Sequence, residues 1–283
     1  MTTADIAGIP TRYEKIGSGP PLLMFSPGGF NSVLENWSSH GAYQTLKLLD
    51  HLPERYTCIL FDRRESGGSG GRVERVTWAD YVAQGIGLLD HLQVERAHLM
   101  GGCVGCSTAI ATAVHHPDRV ASMILYSPAG GPRYRMTSQS RFARHLAYVE
   151  EHGLDGVVAL AESHSEGFSQ DPRIGPWAPV LRRDPDFTEA YRSFDPDRYL
   201  QIVTGMSRLL FDRDTVPGAE PEDLLVLDTP TLIVPGEDTS HAPSAARYLQ
   251  ECLPHADFWH TPVSERTEVN TPPRLMSFLD AMN

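Results

Sequence analysis

The chain predicts an α/β fold, a mostly parallel sheet with helices on both faces and a helical segment inserted near its middle. Three observations carry this. Short apolar runs alternate with amphipathic helical patterns from the N-terminal quarter onward. A glycine-flanked turn joins one such run to a helix at Gly101–Gly105. The rhythm then breaks between Gly130 and Asp228, where helical patterns follow one another without strands.

In order, Gly8–Ile16 and Pro21–Phe25 read as strands and Ala42–Leu52 as a helix. Thr57–Asp62 is a strand, and Thr77–Leu92 is a helix opened by Thr77 and Asp80 at capping-box spacing. The run Ala97–Met100 is a buried strand, followed by a helix from Val104 to His116 and the strand Val120–Tyr126. Continuous apolar strands of this kind belong in a parallel sheet covered on both faces. The interruption holds helical patterns at Ser138–His152, Asp155–Ser163, Phe187–Ser193 and Pro196–Phe211. The alternation resumes with the strand Thr231–Pro235, the helix Pro243–Leu253, the strand Ala256–His260 and the helix Pro273–Met282. The expected division is a core of residues 1–130 and 229–283, with residues 131–228 as a helical lid.

Composition limits the partners. The chain has 283 residues, 41% of them hydrophobic, enough for one sizeable core. Its 36 acidic and 24 basic residues give a net charge of −12. Nucleic acid and anionic membranes are therefore not expected partners. Residues 1–10 lack the basic and apolar regions of a signal peptide, and no run approaches the ~18 apolar residues of a membrane span. Four scattered cysteines do not form a disulfide framework. The expectation is a cytoplasmic protein with reduced thiols, acting on a small-molecule substrate; a homodimer stays open.

Gly101-Gly102-Cys103-Val104-Gly105 is a Gly-x-Ser-x-Gly nucleophile elbow with cysteine at its tip. The glycines make room for a strained turn, and the helix N-terminus beneath favours a thiolate. The plainer reading, a buried structural cysteine, is weakened by what surrounds it. Gly17-Ser18-Gly19-Pro20-Pro21, Ser26-Pro27-Gly28-Gly29-Phe30, Asp62 through Ser69, and His116-Pro117-Asp118-Arg119-Val120 stand in order around the elbow. Together these motifs resemble the α/β-hydrolase family, over nearly the whole chain. The Gly-Gly-nucleophile-x-Gly pattern is similar to that of its proline iminopeptidase branch. The elbow cysteine resembles that of dienelactone hydrolases.

The resemblance implies an oxyanion hole from the backbone N–H groups of Val104 and of Gly29 or Phe30. It implies an acid after the sixth or seventh strand. No carboxylate lies between Tyr126 and Arg135, so the acid falls to Asp238, with Glu237 as fallback. A helix-capping Asp238 is the plainer alternative. The chain departs from the family at the base. The late position holds Glu265 and Arg266, and no histidine occurs from Thr261 to Asn283. His241, three residues beyond Asp238, is the favoured replacement; His260 is the other, and Glu65, Glu265 and Arg266 are further site candidates.

Cys103 and Cys106 also form a Cys-x-x-Cys, but the glycine flanks favour a nucleophile over a redox pair. No ligand spacing points to a metal, and no cofactor is expected. Arg133 and Arg135 are candidate contacts for an anionic substrate group. Aromatic residues, among them Tyr134, Phe142, Tyr148, Phe168, Trp177, Tyr191, Tyr199 and Phe211, supply the lid with a lining or a core. The expected function is cleavage or transfer of an acyl group from a small ester, lactone, thioester or amide through a Cys103 thioester. A lyase or acyltransferase of the same fold, or a ligand-binding pseudoenzyme, is the alternative.

Overall fold

In a computed structural model, which describes residues 2–283, eight strands form a single sheet in the order β1-β2-β4-β3-β5-β6-β7-β8. These are β1 (Thr2–Ile6), β2 (Ile9–Ile16), β3 (Pro21–Phe25), β4 (Thr57–Phe61), β5 (Ala97–Gly102), β6 (Val120–Tyr126), β7 (Thr231–Val234) and β8 (Ala256–Phe258). From β4 to β8 all pairings are parallel; β1 and β2 run antiparallel at one edge.

The strand sequences explain the layering. In β3, Leu23 and Phe25 face one apolar cluster while Leu22 and Met24 face the other; Ile59 and Phe61 divide from Cys58 and Leu60 in the same way. A period of two in a strand that is apolar throughout buries both faces, so helices must cover each. Trp78–His91, Gly105–His115 and Pro243–Cys252 contribute to one cover, and Thr271–Asp280 with the turns around Trp37–Leu52 forms the other. The expected capping box opens the helix Trp78–His91: the Thr77 side chain accepts from the Asp80 N–H, and the Asp80 carboxylate accepts from the Thr77 N–H.

Three local differences from the sequence reading have physical causes. Thr2–Ile6 is a strand, joined to β2 by a two-residue turn in which Ala7 and Gly8 both have positive φ, the geometry that suits the twist of a tight hairpin. The helix expected over Ala42–Leu52 is broken at Lys47, which takes a left-handed conformation (φ 48°). The patterns at Ser138–His152 and Asp155–Ser163 belong to one helical run, Pro132–Ser163, kinked at Gly153 (φ 68°).

Between β6 and β7 the chain is helical: Pro132–Ser163, Ala178–Leu181, Pro185–Arg192, Pro196–Leu210 and Pro221–Leu225. Its helices build a third apolar cluster around Phe142, Trp177, Tyr191 and Tyr199, which reaches down to Val76 and Tyr81.

The strand order reverses direction between β3 and β5, because β4 follows β3 toward one edge and β6 follows β5 toward the other. At such a switch point the loops leaving the carboxyl ends of the two strands part and leave a crevice. The loops after β3 and β5 are Ser26–Phe30 and the Cys103 turn.

Candidate active site

Cys103 sits at the tip of that turn with φ 54°, a left-handed conformation that costs a non-glycine residue about 1–3 kcal/mol. The turn is held on both sides. The Cys103 N–H donates to the Tyr126 carbonyl (3.0 Å), and the Cys103 carbonyl accepts from Ala129 (3.2 Å) and Cys106 (3.1 Å). The flanking glycines are required by contact. A Cβ on Gly101 would lie 2.6 Å from the Cys106 backbone, and one on Gly105 would lie 2.1 Å from the Phe25 carbonyl oxygen. Packing therefore stabilises what the local backbone disfavours.

Cys106 is directed away from this site. Its buried thiol donates to the Gly101 carbonyl (3.1 Å), and burial pushes its pKa far up. Nothing in its setting resembles the reactive partner of a redox pair.

The loop after β3 brings a backbone N–H to the sulfur. Asn36 Nδ2 donates to the carbonyls of Pro27 and Asn31, both at 2.7 Å, and Asp62 ties the loop's far end by accepting from Leu34 N–H (2.9 Å). With those groups engaged, the Gly28 N–H is aimed at Cys103 beside that of Val104. Gly29 and Phe30, the residues expected to donate, follow directly and line the space beside Val104. The Gly29 carbonyl accepts from Arg63 (2.6 Å), and the Phe30 ring turns up into the helical insertion, against Phe142 and Phe168.

The loop after β7 carries Asp238 and His241. Asp238 Oδ1 accepts from the backbone of Ser240 (2.7 Å) and His241 (3.0 Å), and its Oδ2 accepts from His241 Nδ1 (2.8 Å). Gly130 pins the loop from the far side: its N–H donates to the Ser240 carbonyl (3.0 Å), and it bridges to His241. Gly236 is needed for the same fold, since a Cβ there would fall 2.3 Å from that of His241. Nδ1 being engaged, the buried Nε2 is left toward Cys103 without a completed hydrogen bond to any described residue.

The charges of this pair reinforce each other. Burial is the largest influence on Cys103 and opposes ionisation, but His241 and the N–H groups of Val104 and Gly28 together hold the thiol below its ordinary range. For His241, burial opposes the charge, while the Cys103 sulfur and then Asp238 push its pKa up to about 9. Asp238 is held below the usual carboxylate range: burial opposes this, and His241 with the Ser240 N–H outweighs it. The arrangement favours a thiolate beside an imidazolium.

The remaining candidates lie elsewhere. His260 is exposed and stacks on Phe258, with ring centroids 4.9 Å apart. Glu265 is exposed. Arg266 is buried and serves the backbone: Nη1 donates to the Pro235 carbonyl (2.5 Å), while Nε and Nη2 donate to that of Thr261 (3.0 and 2.7 Å). It thereby joins the loops after β7 and β8. Glu65 is buried in an ion pair with Arg64 (2.8 Å), and desolvation pushes its pKa up to about 7. Glu237 accepts from the Val263 N–H (3.2 Å). Arg135 pairs with Asp214 (3.0 Å), and Arg133 is exposed beside a surface groove.

Two spaces meet at the elbow. One lies beneath the helical insertion, about 30 Å³ between walls that include Phe30, Tyr81, Tyr134, Phe142, Phe168 and Phe211. Val104 and Gly29 form part of its floor, and Arg63 and Arg141 supply its cations. The other is an open cleft lined by Cys103, His241, Asp238 and Tyr43. Trp177, Tyr191 and Tyr199 are core residues, whereas Tyr148 is only partly buried and stacks on His152. Arg63 and Arg141 escaped the sequence reading; the one available signal was a second arginine directly between Asp62 and Arg64.

His164, Glu166 and Asp171 present their donor atoms within 4.8 Å of one another. Asp171 is already bound by Arg173 (2.7 Å), which neutralises the buried carboxylate. No helix among the described residues is long and apolar enough to cross a membrane.

The profile of the alpha/beta hydrolase fold family matches residues 21–264. Over 127 residues the chain is 34% identical to the dihydrolipoyllysine-residue acetyltransferase component of the acetoin cleaving system of Cupriavidus necator, covering 45% of this chain and 32% of that protein. Over 129 residues it is 30% identical to 2-hydroxymuconate semialdehyde hydrolase of a Pseudomonas species, covering 44% and 42%. The matched stretch thus spans less than half the length of these curated relatives. Among solved structures, the meta-cleavage product hydrolase of Pseudomonas fluorescens IP01 superposes with a TM-score of 0.63 at 20% identity, covering 100% of this chain and 98% of that one.

Proposed function

The chain belongs to the alpha/beta hydrolase fold family, and from that premise we propose that it hydrolyses a small ester, lactone or thioester through an acyl thioester on Cys103. The observation that carries this reading is the strained elbow of Cys103 in one cleft with the hydrogen-bonded pair of His241 and Asp238. The thiolate attacks the carbonyl carbon, forming a C–S bond and placing negative charge on the carbonyl oxygen. The N–H groups of Val104 and Gly28 stabilise that charge. On collapse the bond to the leaving oxygen, or to the leaving sulfur of a thioester substrate, breaks and the His241 imidazolium gives its Nε2 proton to that atom. Neutral His241 then takes a proton from water as it attacks the thioester, and the acid and thiolate are released. Asp238 holds the imidazole in the tautomer that leaves Nε2 free for these transfers. Residues 131–228 act as the lid that closes the acyl pocket.

A cysteine suits this arrangement better than a serine. A thiolate forms at the elbow with a proton already on the base, so the base need not remove one during attack. The activities named for the two relatives, hydrolysis of a semialdehyde and acetyl transfer, both fit an acyl or acyl-like intermediate on the elbow residue. Acyl transfer is the second reading, favoured by the open cleft beside Cys103 and His241, which would admit an acceptor other than water.

The test is intact-mass detection of acyl adducts after brief exposure to a panel of activated esters and thioesters. The wild type should gain one acyl group, lost again on standing. Cys103→Ala should gain none and lose more than 10³-fold in kcat while melting normally. An adduct on folded Cys103→Ala, or more than a tenth of wild-type kcat in that variant, contradicts the proposal.

A further inference from the structure

Arg63 is a buried cation that the thioester mechanism does not use. It is 7% exposed, yet makes no ion pair with any described carboxylate. Arginine stays charged in proteins and presents five N–H donors. Here one hydrogen bond is made, from Nη2 to the Gly29 carbonyl (2.6 Å). Nε is buried with no partner among the described residues, and none accepts from Nη1. The neighbouring acid does not fill the gap: Glu65 Oε1 bonds Arg64, which also reaches Glu74 and Asp80.

A buried charge left unpaired is expensive, and folds tolerate one mainly where a ligand completes it. Aromatic faces offset part of the cost: the guanidinium lies 4.3 Å from the Tyr81 ring centroid and 5.5 Å from that of Phe30. Those two rings are also walls of the enclosed space beside Val104, so Arg63 stands at its edge. Arg141, likewise without an ion pair among the described residues, lines the same space. The Tyr134 hydroxyl is close enough to Cys103, Arg63 and Arg141 to feel all three charges. Val104, the residue that follows Cys103 at the elbow, lines the same space, so the cations stand beside the nucleophile's turn.

We infer that Arg63 is the specificity residue for a carboxylate on the acyl part of the substrate. This rests on the proposed thioester chemistry: an acyl group held on Cys103 lies beside Val104, which lines the space that Arg63 edges. A planar carboxylate matches the guanidinium fork, and charge-assisted bonding in a dry aromatic site is stronger than at a surface. The bond of Arg63 to Gly29 needs one donor, which leaves the rest of the fork available.

The test compares 4-nitrophenyl hydrogen adipate with 4-nitrophenyl hexanoate, which differ only in the terminal carboxylate, and measures adipate binding by calorimetry. Wild type should prefer the carboxylate ester by about 10- to 100-fold in kcat/KM, the range expected of a charge-assisted contact. Arg63→Gln should bring that ratio toward one and weaken adipate binding by a similar factor; Arg63→Lys should fall between. Equal rates for both esters in wild type, or an unchanged ratio in folded Arg63→Gln, overturn the inference. Should Arg63→Gln fail to fold, the wild-type ratio and adipate affinity decide alone. The two claims fail separately. Adipate bound through Arg63 with no acyl-Cys103 defeats the thioester; thioesters formed equally from both esters defeat the carboxylate site.

Discussion

The loops after β7 and β8 leave neighbouring strands at the same rim of the sheet, yet they hold opposite kinds of residue. The first presents a histidine and an aspartate to the sulfur. The second presents an arginine that donates to the backbone carbonyls of Pro235 and Thr261. On the proposed mechanism, the base has left its usual place in chain order. What matters is reach to the elbow, and Gly130, Gly236 and Asp238 together fold the β7 loop tightly enough to supply it. Arg266 then has a mechanical part, joining the two loops through the carbonyls of Pro235 and Thr261.

Substitutions on the two loops should therefore break differently. His241→Ala should slow acylation by about 10²–10⁴-fold, as loss of a general acid–base does. Asp238→Ala should cost less than that, and the double variant should be little worse than His241→Ala, since the pair acts as one unit. His260→Ala and Glu265→Ala, on the other loop, should stay within about twofold of wild type. Stopped-flow acylation rates decide this. A dead His260→Ala beside an active His241→Ala would move the base to β8.

The contrast extends to the loop after β3. Gly28→Ala keeps its N–H but cannot keep its place at φ 118°, so it should lower kcat by up to about 10²–10³-fold, the cost of a lost oxyanion donor. Its new Cβ would also meet Asn36 Nδ2 at 2.3 Å and the Asn31 carbonyl at 2.5 Å. Gly29→Ala should do less, because the nearest atom its Cβ would meet is Ser169 Oγ at 3.4 Å. Steady-state kinetics on both variants test the order. A larger loss for Gly29→Ala would return the oxyanion donor to that residue.

Much of this was legible in the sequence because the responsible signals are local. Glycines two residues either side of Cys103, the alternation of apolar strands with helices, and the Thr77–Asp80 cap each act within a few residues. That Asp238 and His241 could pair was legible for the same reason, since they stand three residues apart in one turn. What escaped depends on distant partners. Gly28 is aimed by Asn36 and Asp62, so the loop's own sequence could not say which N–H faces the sulfur. β1 is a mostly polar edge strand, with Ala4 and Ile6 alone facing the core, and its signal was the positive-φ turn at Ala7 and Gly8. Arg63 reads as an ordinary surface residue until the helical insertion covers it.

A smaller effect should fall on stability. Arg266→Met would leave the Pro235 and Thr261 carbonyls without their donor at a largely buried site, at a cost of about 2–4 kcal/mol. Urea unfolding should show that loss, with kcat reduced far less than by His241→Ala. An equal collapse of kcat without loss of stability would make Arg266 part of the chemistry.

The most direct test of the central claim is the rate of Cys103 alkylation by iodoacetamide against pH, read by intact mass, in wild type and His241→Ala. A thiol whose pKa is lowered by an imidazolium ionises at lower pH than a free one, and that advantage ends as His241 loses its proton near about pH 9. Wild type should therefore reach half-maximal rate below the ordinary thiol pKa of about 8.5, and His241→Ala should shift that midpoint upward. Coincident curves for the two proteins would show that His241 does not support the thiolate, and the pair would have to be abandoned.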